Sequence, residues 1–349
     1  MKIKLLVIDD SAFMRSAVRL MLQDDPEIEI VGAASDGLSA IKMVEALDPD
    51  VITMDVEMPG MDGVTATRSI MEKFPRPIIM LSSQTELGNE TTIKALEAGA
   101  VDFIPKKSAF VQLDIAQIGT ELHKKIRYWG ERHLQVKNNK QKTSTTETPT
   151  IPLNWSGAYQ PELVIIGVST GGPAIMSRLL SRIGTPTCPV VIAQHMPPSF
   201  TEGFAKHLKM ETGLNVMHAS DGMTLMPGMI VICPGGTDTT LRESVPGRLI
   251  VILKLNPTAP IHPSVDILFT SAARLTRRVA AVILTGMGSD GTVGTRALVD
   301  RGCPILVQEP GECTVDGMPT SVIESGVLHE ELNIAGIGHR LNKWVGTIS

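Results

Sequence analysis

Five short apolar runs alternate with amphipathic segments over about the first 125 residues of the chain. The runs are IKLLVID, EIVGAA, DVITMDV, PIIMLSS and AVDFIPK, and the segments between them include SAFMRSAVRLMLQDD and NETTIKALEAG. Strands that alternate with helices in this way form parallel sheets covered by helices. The pattern therefore predicts a doubly wound α/β domain with a five-stranded parallel sheet over residues 1–125.

A second α/β domain is predicted after a polar interval. Residues 108–135 carry apolar side chains at three- and four-residue spacing, which predicts a long helix. The following segment, VKNNKQKTSTTETPTIP, has almost no large apolar residue and is predicted to be a flexible linker. Apolar runs return from about Pro161, among them ELVIIGV, PVVIAQH, RLIVILKL and VAAVILTGMG, and several end in glycine-rich turns. The predicted boundaries are 1–125, 126–160 for the helical extension and linker, and 161–349.

Composition argues against several classes of protein. The net charge is −5 and only 3% of residues are aromatic, which fits neither a basic nucleic-acid surface nor a stacking platform for bases. No apolar run approaches the roughly 18 residues of a membrane span, and the N-terminal LLVI is too short for a secretion signal. We therefore expect a cytoplasmic protein that neither binds nucleic acid nor inserts into membranes. Its four scattered cysteines are expected to be reduced core residues.

Polar side chains stand at the predicted carboxyl ends of four strands in the first domain. They are Asp9 and Asp10, Asp55, Ser82 and Lys106. Ligands of open parallel sheets bind at this edge. Three neighbouring carboxylates repel one another, and Mg²⁺ fits them because it prefers oxygen ligands and no histidine or cysteine is nearby. A carboxylate there could attack phosphorus, while the lysine and the hydroxyl stabilise the phosphoryl oxygens. One strand-end acid alone could merely cap a helix, but the full set argues for a phosphoryl site.

The second domain opens with a G-x-S-x-G sequence, from Gly167 to Gly171, directly after the apolar run LVII. Small residues around Ser169 permit a sharp strand-to-helix turn that exposes its hydroxyl. The helix behind it supplies unpaired N–H groups and a positive dipole end. Because the same glycines could hold a nucleotide phosphate, this motif alone leaves both a hydrolase and a nucleotide-binding module open.

A nucleophilic serine needs a base, and the base needs an acid that orients it. Among the six histidines of this domain, His195 directly ends a buried-looking run, PVVIAQH, while His262 in HPSVD is the alternative base. Asp290 lies in the turn GMGSDG after AAVIL and is the predicted orienting acid, whereas Asp266 is expected to cap or pack against a helix. Ser169, His195 and Asp290 are thus predicted to form a triad at three strand ends.

The chain order of this predicted triad is Ser, His, Asp. The order in α/β-hydrolases is Ser, Asp or Glu, His, so a different fold with the same chemistry is predicted. The glycines of TGMGSDG are expected to bring a backbone N–H toward the developing oxyanion, with Met287 as donor and Thr170 in support. This chemistry needs no metal in the second domain.

The first 125 residues resemble response-regulator receiver domains, which have a flavodoxin-like fold. The motifs that carry the resemblance are VIDDS, MDVEMPGMDG, MLSS and DFIPK. The resemblance implies that Asp55 is phosphorylated by a histidine kinase. It also implies a Mg²⁺ ion bound by Asp10, Asp55, the backbone carbonyl of Glu57 and, through water, Asp9.

The same resemblance implies a conformational switch made of Ser82, Phe103 and Lys106. The sequence departs from the family at one position, because Lys107 stands where receivers usually have a proline after the lysine. The geometry of the last loop is therefore not inferred from the resemblance.

The second domain resembles the catalytic domain of chemotaxis protein-glutamate methylesterases, the CheB family. The motifs IGVSTGG, VIAQHMPPSFT, DGMTLMPGMIVICPGG, HPSVDILFTSAA, ILTGMGSDG and DGMP occur in order through the whole domain. The resemblance implies that Ser169, His195 and Asp290 hydrolyse glutamate methyl esters on methyl-accepting chemotaxis receptors and deamidate receptor glutamines. Family members often have Arg-His after PGG, where this chain has Thr237 and Asp238.

Together the two resemblances imply a hydrolase that a receiver domain controls. We expect the unphosphorylated receiver to restrict access to Ser169 and phosphorylation of Asp55 to relieve the restriction. An alternative is a hydrolase of the same kind that serves receptors of a related, non-chemotaxis signalling array. A DNA-binding response regulator would need a basic recognition helix after the linker, and the sequence has none.

Overall fold

The computed structural model describes residues 2–83, 86–106, 115–139, 159–244, 247–255 and 262–346. The chain divides into two compact units, Met1–Glu147 and Thr148–Ser349. Lys107 and residues 140–158 of the predicted linker lie outside the described residues. No helix within the described part of the chain is long and apolar enough to cross a membrane.

The first unit contains a five-stranded sheet of order β2-β1-β3-β4-β5, in which every neighbouring pair is parallel. This confirms the predicted sheet. The strands are β1 (Ile3–Ile8), β2 (Ile28–Ala34), β3 (Val51–Asp55), β4 (Ile78–Ser83) and β5 (Asp102–Lys106). The helices are α1 (Ala12–Leu22), α2 (Gly37–Leu47), α3 (Gly63–Lys73), α4 (Glu86–Glu97) and α5 (Ile115–Asn139).

Local sequence explains where these helices begin and how closely they pack. The side chains of Ser11, Asp36 and Asp62 accept hydrogen bonds from backbone amides of the first turns of α1, α2 and α3. α5 packs against β1 at Gly130, where a Cβ would lie 2.4 Å from Cγ2 of Ile3. It continues to Asn139, four residues into the predicted linker, because residues 136–139 include no proline or glycine to end it.

The second unit contains a seven-stranded sheet of order β15-β14-β13-β6-β7-β10-β8 in which all pairs are parallel. Its strands are β6 (Leu163–Val168), β7 (Val190–Gln194), β8 (Val216–His218), β10 (Ile230–Ile232), β13 (Val279–Ile283), β14 (Ile305–Gln308) and β15 (Glu330–Leu332). The helices are α6 (Gly172–Leu180), α7 (Pro198–Thr212), α8 (Val265–Ala272), α9 (Thr292–Val299), α10 (Gly317–Glu324) and α11 (Ile334–Val345), with a 3₁₀ turn at Pro310–Glu312.

A small antiparallel sheet accompanies the parallel one and was not predicted. It has the order β11-β12-β9, with β9 at Thr224–Leu225, β11 at Asp238–Ser244 and β12 at Arg248–Lys254. β12 lies in the run RLIVILKL, but only Leu249 and Val251 are buried and the half-buried Ile250 stands between them, as in a strand with one covered face. The buried face joins the domain core beside α8.

Three of the four cysteines lie in the core, as expected, and the fourth does not. None of the four forms a disulfide. Cys188, Cys233 and Cys303 are buried, and Cys313 is half-buried.

Candidate functional site

An acidic cluster lies at the carboxyl edge of the first sheet. Asp9 and Asp10 follow β1, and Asp55 is the last residue of the neighbouring strand β3. Carboxylate oxygens of these three residues lie within 4.8 Å of one another. Asp9 and Asp55 are buried and Asp10 is exposed, so the cluster is open to solvent on one side. Three hard oxygen donors in this arrangement fit Mg²⁺.

Lys106, the last residue of β5, joins two members of the acidic cluster. Its Nζ lies 2.8 Å from Oδ2 of Asp9 and 2.8 Å from Oδ2 of Asp55. Burial raises the pKa of Asp55 to about 6, although the charge and hydrogen bond of Lys106 act in the opposite direction. One cation therefore faces both buried carboxylates.

Two residues that the sequence analysis did not single out shape this edge. Arg15 in α1 donates from Nη1 to the backbone carbonyls of Asp9 and Asp10, at 2.7 and 3.0 Å. Gly63 begins α3 against the strand, and a Cβ there would lie 1.9 Å from the carbonyl oxygen of Asp55. Arg15 could have been found only from its position one turn into the helix that follows the two acids.

Two of the predicted switch residues, Ser82 and Phe103, are buried in the sheet, whereas the predicted metal-binding residue Glu57 is exposed. Ser82 in β4 is fully buried and accepts a short hydrogen bond from Oγ1 of Thr92. Phe103 in β5 is also buried, and Nζ of Lys125 lies 5.9 Å from its ring centroid. Glu57 is exposed, and its backbone N–H donates to Oδ1 of Asp55 at 3.4 Å. Ser82 and Phe103 thus lie on β4 and β5, and Glu57 lies two residues after the end of β3.

Ser169 and His195 lie side by side in the second unit. They directly follow the paired residues Val168 of β6 and Gln194 of β7, and the His195 amide donates to the Val168 carbonyl at 3.0 Å. Two residues after Ser169, Gly171 has a φ of +81°, a left-handed conformation that favours glycine. The turn then enters α6, so the N-terminal end of that helix adjoins the serine.

His195 pairs with Asp290, as the sequence predicts. Its Nε2 lies 2.8 Å from Oδ2 of Asp290, and both side chains are largely buried. An ionised carboxylate only accepts hydrogen bonds, so the Nε2 proton is directed at the acid and Nδ1 is the ring nitrogen free for proton transfer. This orientation differs from the serine-protease template, in which Nδ1 faces the aspartate.

Asp290 is held at the N-terminus of α8, a feature that the sequence did not reveal. Its Oδ2 accepts from the Val265 amide at 2.7 Å, and its Oδ1 accepts from the Asp266 amide at 2.8 Å and from Oγ of Ser264 at 3.1 Å. Burial alone would raise the pKa of Asp290, but the hydrogen bond and charge of His195 and these amides outweigh it and lower the pKa. The acid therefore stays ionised opposite the imidazole.

The loop that contains Met287, the predicted oxyanion donor, lies against the turn of Ser169 and Thr170. A Cβ at Gly286 would stand 2.7 Å from Cβ of Ser169, so the segment that contains Met287 runs directly against that serine. The carbonyl of Thr170 accepts from Oγ1 of Thr285 at 3.0 Å, and the amide of Ser169 donates to the Thr285 carbonyl at 3.0 Å. Thr285 thus ties the serine turn to the loop after β13.

The other candidate residues have different partners. His262, the alternative base, bonds through Nδ1 to Oδ1 of the buried Asp238 at 3.0 Å. Asp266 lies in the first turn of α8 and accepts from the Gly294 amide at 2.7 Å, which confirms its predicted helix-capping and packing role. Burial is the largest cause that raises the pKa of Asp266, and the nearby charge of Asp290 adds to it.

Comparison with known proteins identifies the families to which the two units are similar. Residues 164–341 match the CheB methylesterase family and residues 5–116 match the response regulator receiver domain. The chain is 39% identical to protein-glutamate methylesterase/protein-glutamine glutaminase 1 of Oleidesulfovibrio alaskensis, over 95% of this chain and 96% of the relative. It is 37% identical to the enzyme of that name in Bacillus subtilis, over 98% of each chain. The crystal structure of the Thermotoga maritima CheB methylesterase catalytic domain is 34% identical, with a TM-score of 0.50, and covers 53% of this chain and 99% of that one.

Proposed function

The chain belongs to the CheB methylesterase family, and from that premise we propose that it is a phosphorylation-controlled serine hydrolase that demethylates glutamate methyl esters on chemotaxis receptors. The observation that carries the proposal is the hydrogen bond of 2.8 Å between Nε2 of His195 and Oδ2 of Asp290. Ser169 follows the strand next to the one that His195 follows. We extend the proposal to deamidation of receptor glutamines, because the relatives carry the name protein-glutamine glutaminase. An ester and a primary amide present the same carbonyl to the serine.

The proposed reaction follows the serine-hydrolase template, with the roles of the two ring nitrogens of His195 exchanged. Nδ1 of His195 accepts the Ser169 hydroxyl proton as the oxygen attacks the ester carbonyl, and it then protonates the leaving methoxide, which departs as methanol. A water molecule that His195 deprotonates then attacks the acyl-serine, and the proton returns to Ser169 as the glutamate is released. Asp290 stays ionised throughout and stabilises the protonated imidazole. The backbone N–H of Met287, with Thr170 in support, is the proposed donor to the tetrahedral oxyanion.

In the receiver, we propose Asp55 as the residue that is phosphorylated by a histidine kinase. Asp9, Asp10, Asp55 and the Glu57 carbonyl would hold Mg²⁺, which would neutralise charge on the phosphoryl group during transfer. Lys106, which already contacts Asp9 and Asp55, is suited to pair with a phosphoryl oxygen. The proposed switch is a rearrangement of Ser82, Phe103 and Lys106 that follows the added charge. A cytoplasmic location is part of the same proposal, because a histidine kinase would supply the phosphoryl group there.

Methanol release from methylated receptor membranes tests the proposal. We expect release by the full chain to rise when a small phosphodonor and Mg²⁺ are added. Ser169→Ala should abolish release with and without the phosphodonor, whereas Asp55→Asn should abolish only the increase. A fluorophosphonate probe should label the wild type and the Asp55→Asn variant but not Ser169→Ala.

The outcomes separate the two parts of the proposal. Undiminished methanol release by Ser169→Ala would show that the serine is not the nucleophile. Labelling without methanol release would retain a serine hydrolase but reject the receptor ester as its substrate. An increase with phosphodonor in Asp55→Asn would reject Asp55 as the acceptor.

A further inference from the structure

A second histidine–aspartate pair is joined to the catalytic one through a single residue. Asp238 begins β11 and is only 2% exposed. Its Oδ1 lies 3.0 Å from Nδ1 of His262 and accepts from the Ser264 amide at 3.1 Å. Within the described parts of the chain, these two groups are the hydrogen-bond partners of this carboxylate. A buried carboxylate is costly unless it is paired, so both partners constrain its position.

Ser264 is the joining residue. Its amide donates to Asp238, and its Oγ donates to Oδ1 of Asp290 at 3.1 Å. The same hydroxyl caps α8 by accepting from the Ile267 amide at 3.3 Å. Ser264 therefore stands between two carboxylates, one that belongs to the triad and one that does not. Any shift of its backbone moves a hydrogen-bond donor of Asp290.

We propose that Asp238 and His262 are positioning residues for the catalytic pair, which they influence through Ser264 and the start of α8. The inference rests on the proposed function, because its effect is on the activation of Ser169. His262 holds Asp238, Asp238 holds the Ser264 amide, and Ser264 with the next two amides of α8 holds Asp290 against His195. Neither positioning residue touches the reacting atoms in this scheme.

The inference requires a donor at the position of Nδ1 on residue 262. An ionised carboxylate cannot donate, so the proton between the two side chains sits on the imidazole. Without an N–H donor on residue 262, Asp238 keeps only the Ser264 amide as a partner among the described residues. The carboxylate then turns toward other donors or water, and the Ser264 amide moves with the carboxylate. Misplacement of catalytic groups by about 1 Å can cost on the order of a hundredfold in rate. The loss should fall on kcat, because no substrate contact is removed.

Two amide substitutions at residue 262 provide the test in the full-length protein. The side-chain amide of His262→Asn can put an N–H where Nδ1 stands, whereas that of His262→Gln reaches the position of Nε2 instead. We expect His262→Gln to lower kcat about tenfold with KM changed less than about twofold. His262→Asn should retain at least about a third of the wild-type kcat. Both side chains are polar and similar in size, so neither leaves a large apolar cavity.

His329 offers a matched control in the same domain. Its Nε2 lies 3.2 Å from Oε1 of Glu331, its Nδ1 bonds the Val327 carbonyl, and its side chain is 14% exposed against 17% for His262. His329→Gln disturbs a histidine–carboxylate pair whose hydrogen bonds, within the described residues, do not lead to Ser264. We expect it to lower the melting temperature about as much as His262→Gln does and to leave kcat unchanged.

The rate of fluorophosphonate labelling separates this inference from the proposed function. If the wild type is labelled but releases no methanol, the receptor substrate is wrong, and slower labelling of His262→Gln still supports the positioning role. Labelling of His262→Gln at the wild-type rate overturns it. A higher KM with unchanged kcat in both the Asn and the Gln variants also overturns it, because the imidazole would then contact substrate instead.

Discussion

At the scale of single residues, Gln194 connects the proposed nucleophile, Ser169, and the proposed base, His195, through their backbones. Its Nε2 donates to the carbonyl of Ser169 at 2.8 Å and to the carbonyl of His195 at 3.2 Å, and it is only 1% exposed. Gly172 makes room for this amide, because a Cβ there would lie 2.1 Å from Oε1. One buried donor therefore sets the spacing of two strand ends.

Replacement of this amide by a carboxylate should disable the site. Gln194→Glu keeps the shape but turns the donor into an acceptor that faces two carbonyl oxygens. We expect labelling of Ser169 by a fluorophosphonate to slow by more than about tenfold and the free energy of unfolding to fall by about 1–3 kcal/mol. Labelling rates and thermal melts measure the two effects.

A core variant controls for lost stability alone. Ile305→Val in β14 removes one buried methyl group and should cost about 1 kcal/mol without slowing the labelling. If both variants lose labelling in proportion to their loss of stability, Gln194 has no specific role in the site.

The residues of the site that could be predicted are those whose function follows from a strand end. Ser169, His195 and Asp290 each follow an apolar run, and parallel strands bring such positions to one edge. Ser264 and Gln194 act instead through single hydrogen bonds to groups far away in the sequence. Such bonds leave no periodic signal, so they became visible only in three dimensions.

At the scale of elements, the parallel sheets were predictable and the antiparallel one was not. A parallel strand buried on both faces is a continuous apolar run, and most of the runs behave in this way. RLIVILKL has the same composition, yet β12 is covered on one face only and pairs with β11 and β9. The antiparallel sheet contacts the helix that binds Asp290. β11 packs against α8, and the Leu241 amide of β11 donates to Oγ of Ser271 in α8 at 3.0 Å.

The start of α3 gives a prediction about the receiver. Gly63→Ala puts a methyl group 1.9 Å from the Asp55 carbonyl, so β3 or α3 must shift. We expect a loss of about 1–3 kcal/mol in the free energy of unfolding, together with slower phosphorylation. Gly119→Ala in α5 is expected to cause no clash. The nearest atom to the added Cβ would be Cγ of Met21 at 3.6 Å, an ordinary van der Waals contact.

Gly119→Ala should raise the free energy of unfolding of the receiver by about 0.5–1 kcal/mol, because alanine has a higher helix propensity than glycine. Thermal unfolding of both variants, with phosphorylation followed by transfer from a labelled phosphodonor, measures the contrast. Equal stability of the two variants would contradict the close approach of Gly63 to the strand.

At the scale of the whole molecule, the two chemistries are fully separated along the chain. Every described residue of the acidic cluster lies in the first unit, and Ser169, His195, Asp290 and the groups that bind them all lie in the second. Each unit has its own sheet and its own core. Control of hydrolysis by phosphorylation therefore has to pass between units that can each complete a site alone.

This separation predicts the behaviour of the second unit by itself. A chain that begins at Thr148 retains every residue of the proposed catalytic site, so it should be labelled by a fluorophosphonate and release methanol faster than the unphosphorylated full-length protein. A phosphodonor should accelerate the full chain but not the fragment. If receiver inhibition is nearly complete, phosphorylation must favour the active state by roughly 5 kcal/mol. A folded fragment no faster than the unphosphorylated full chain would mean that the receiver does not simply restrain the catalytic unit, and that its phosphorylated form contributes directly to activity.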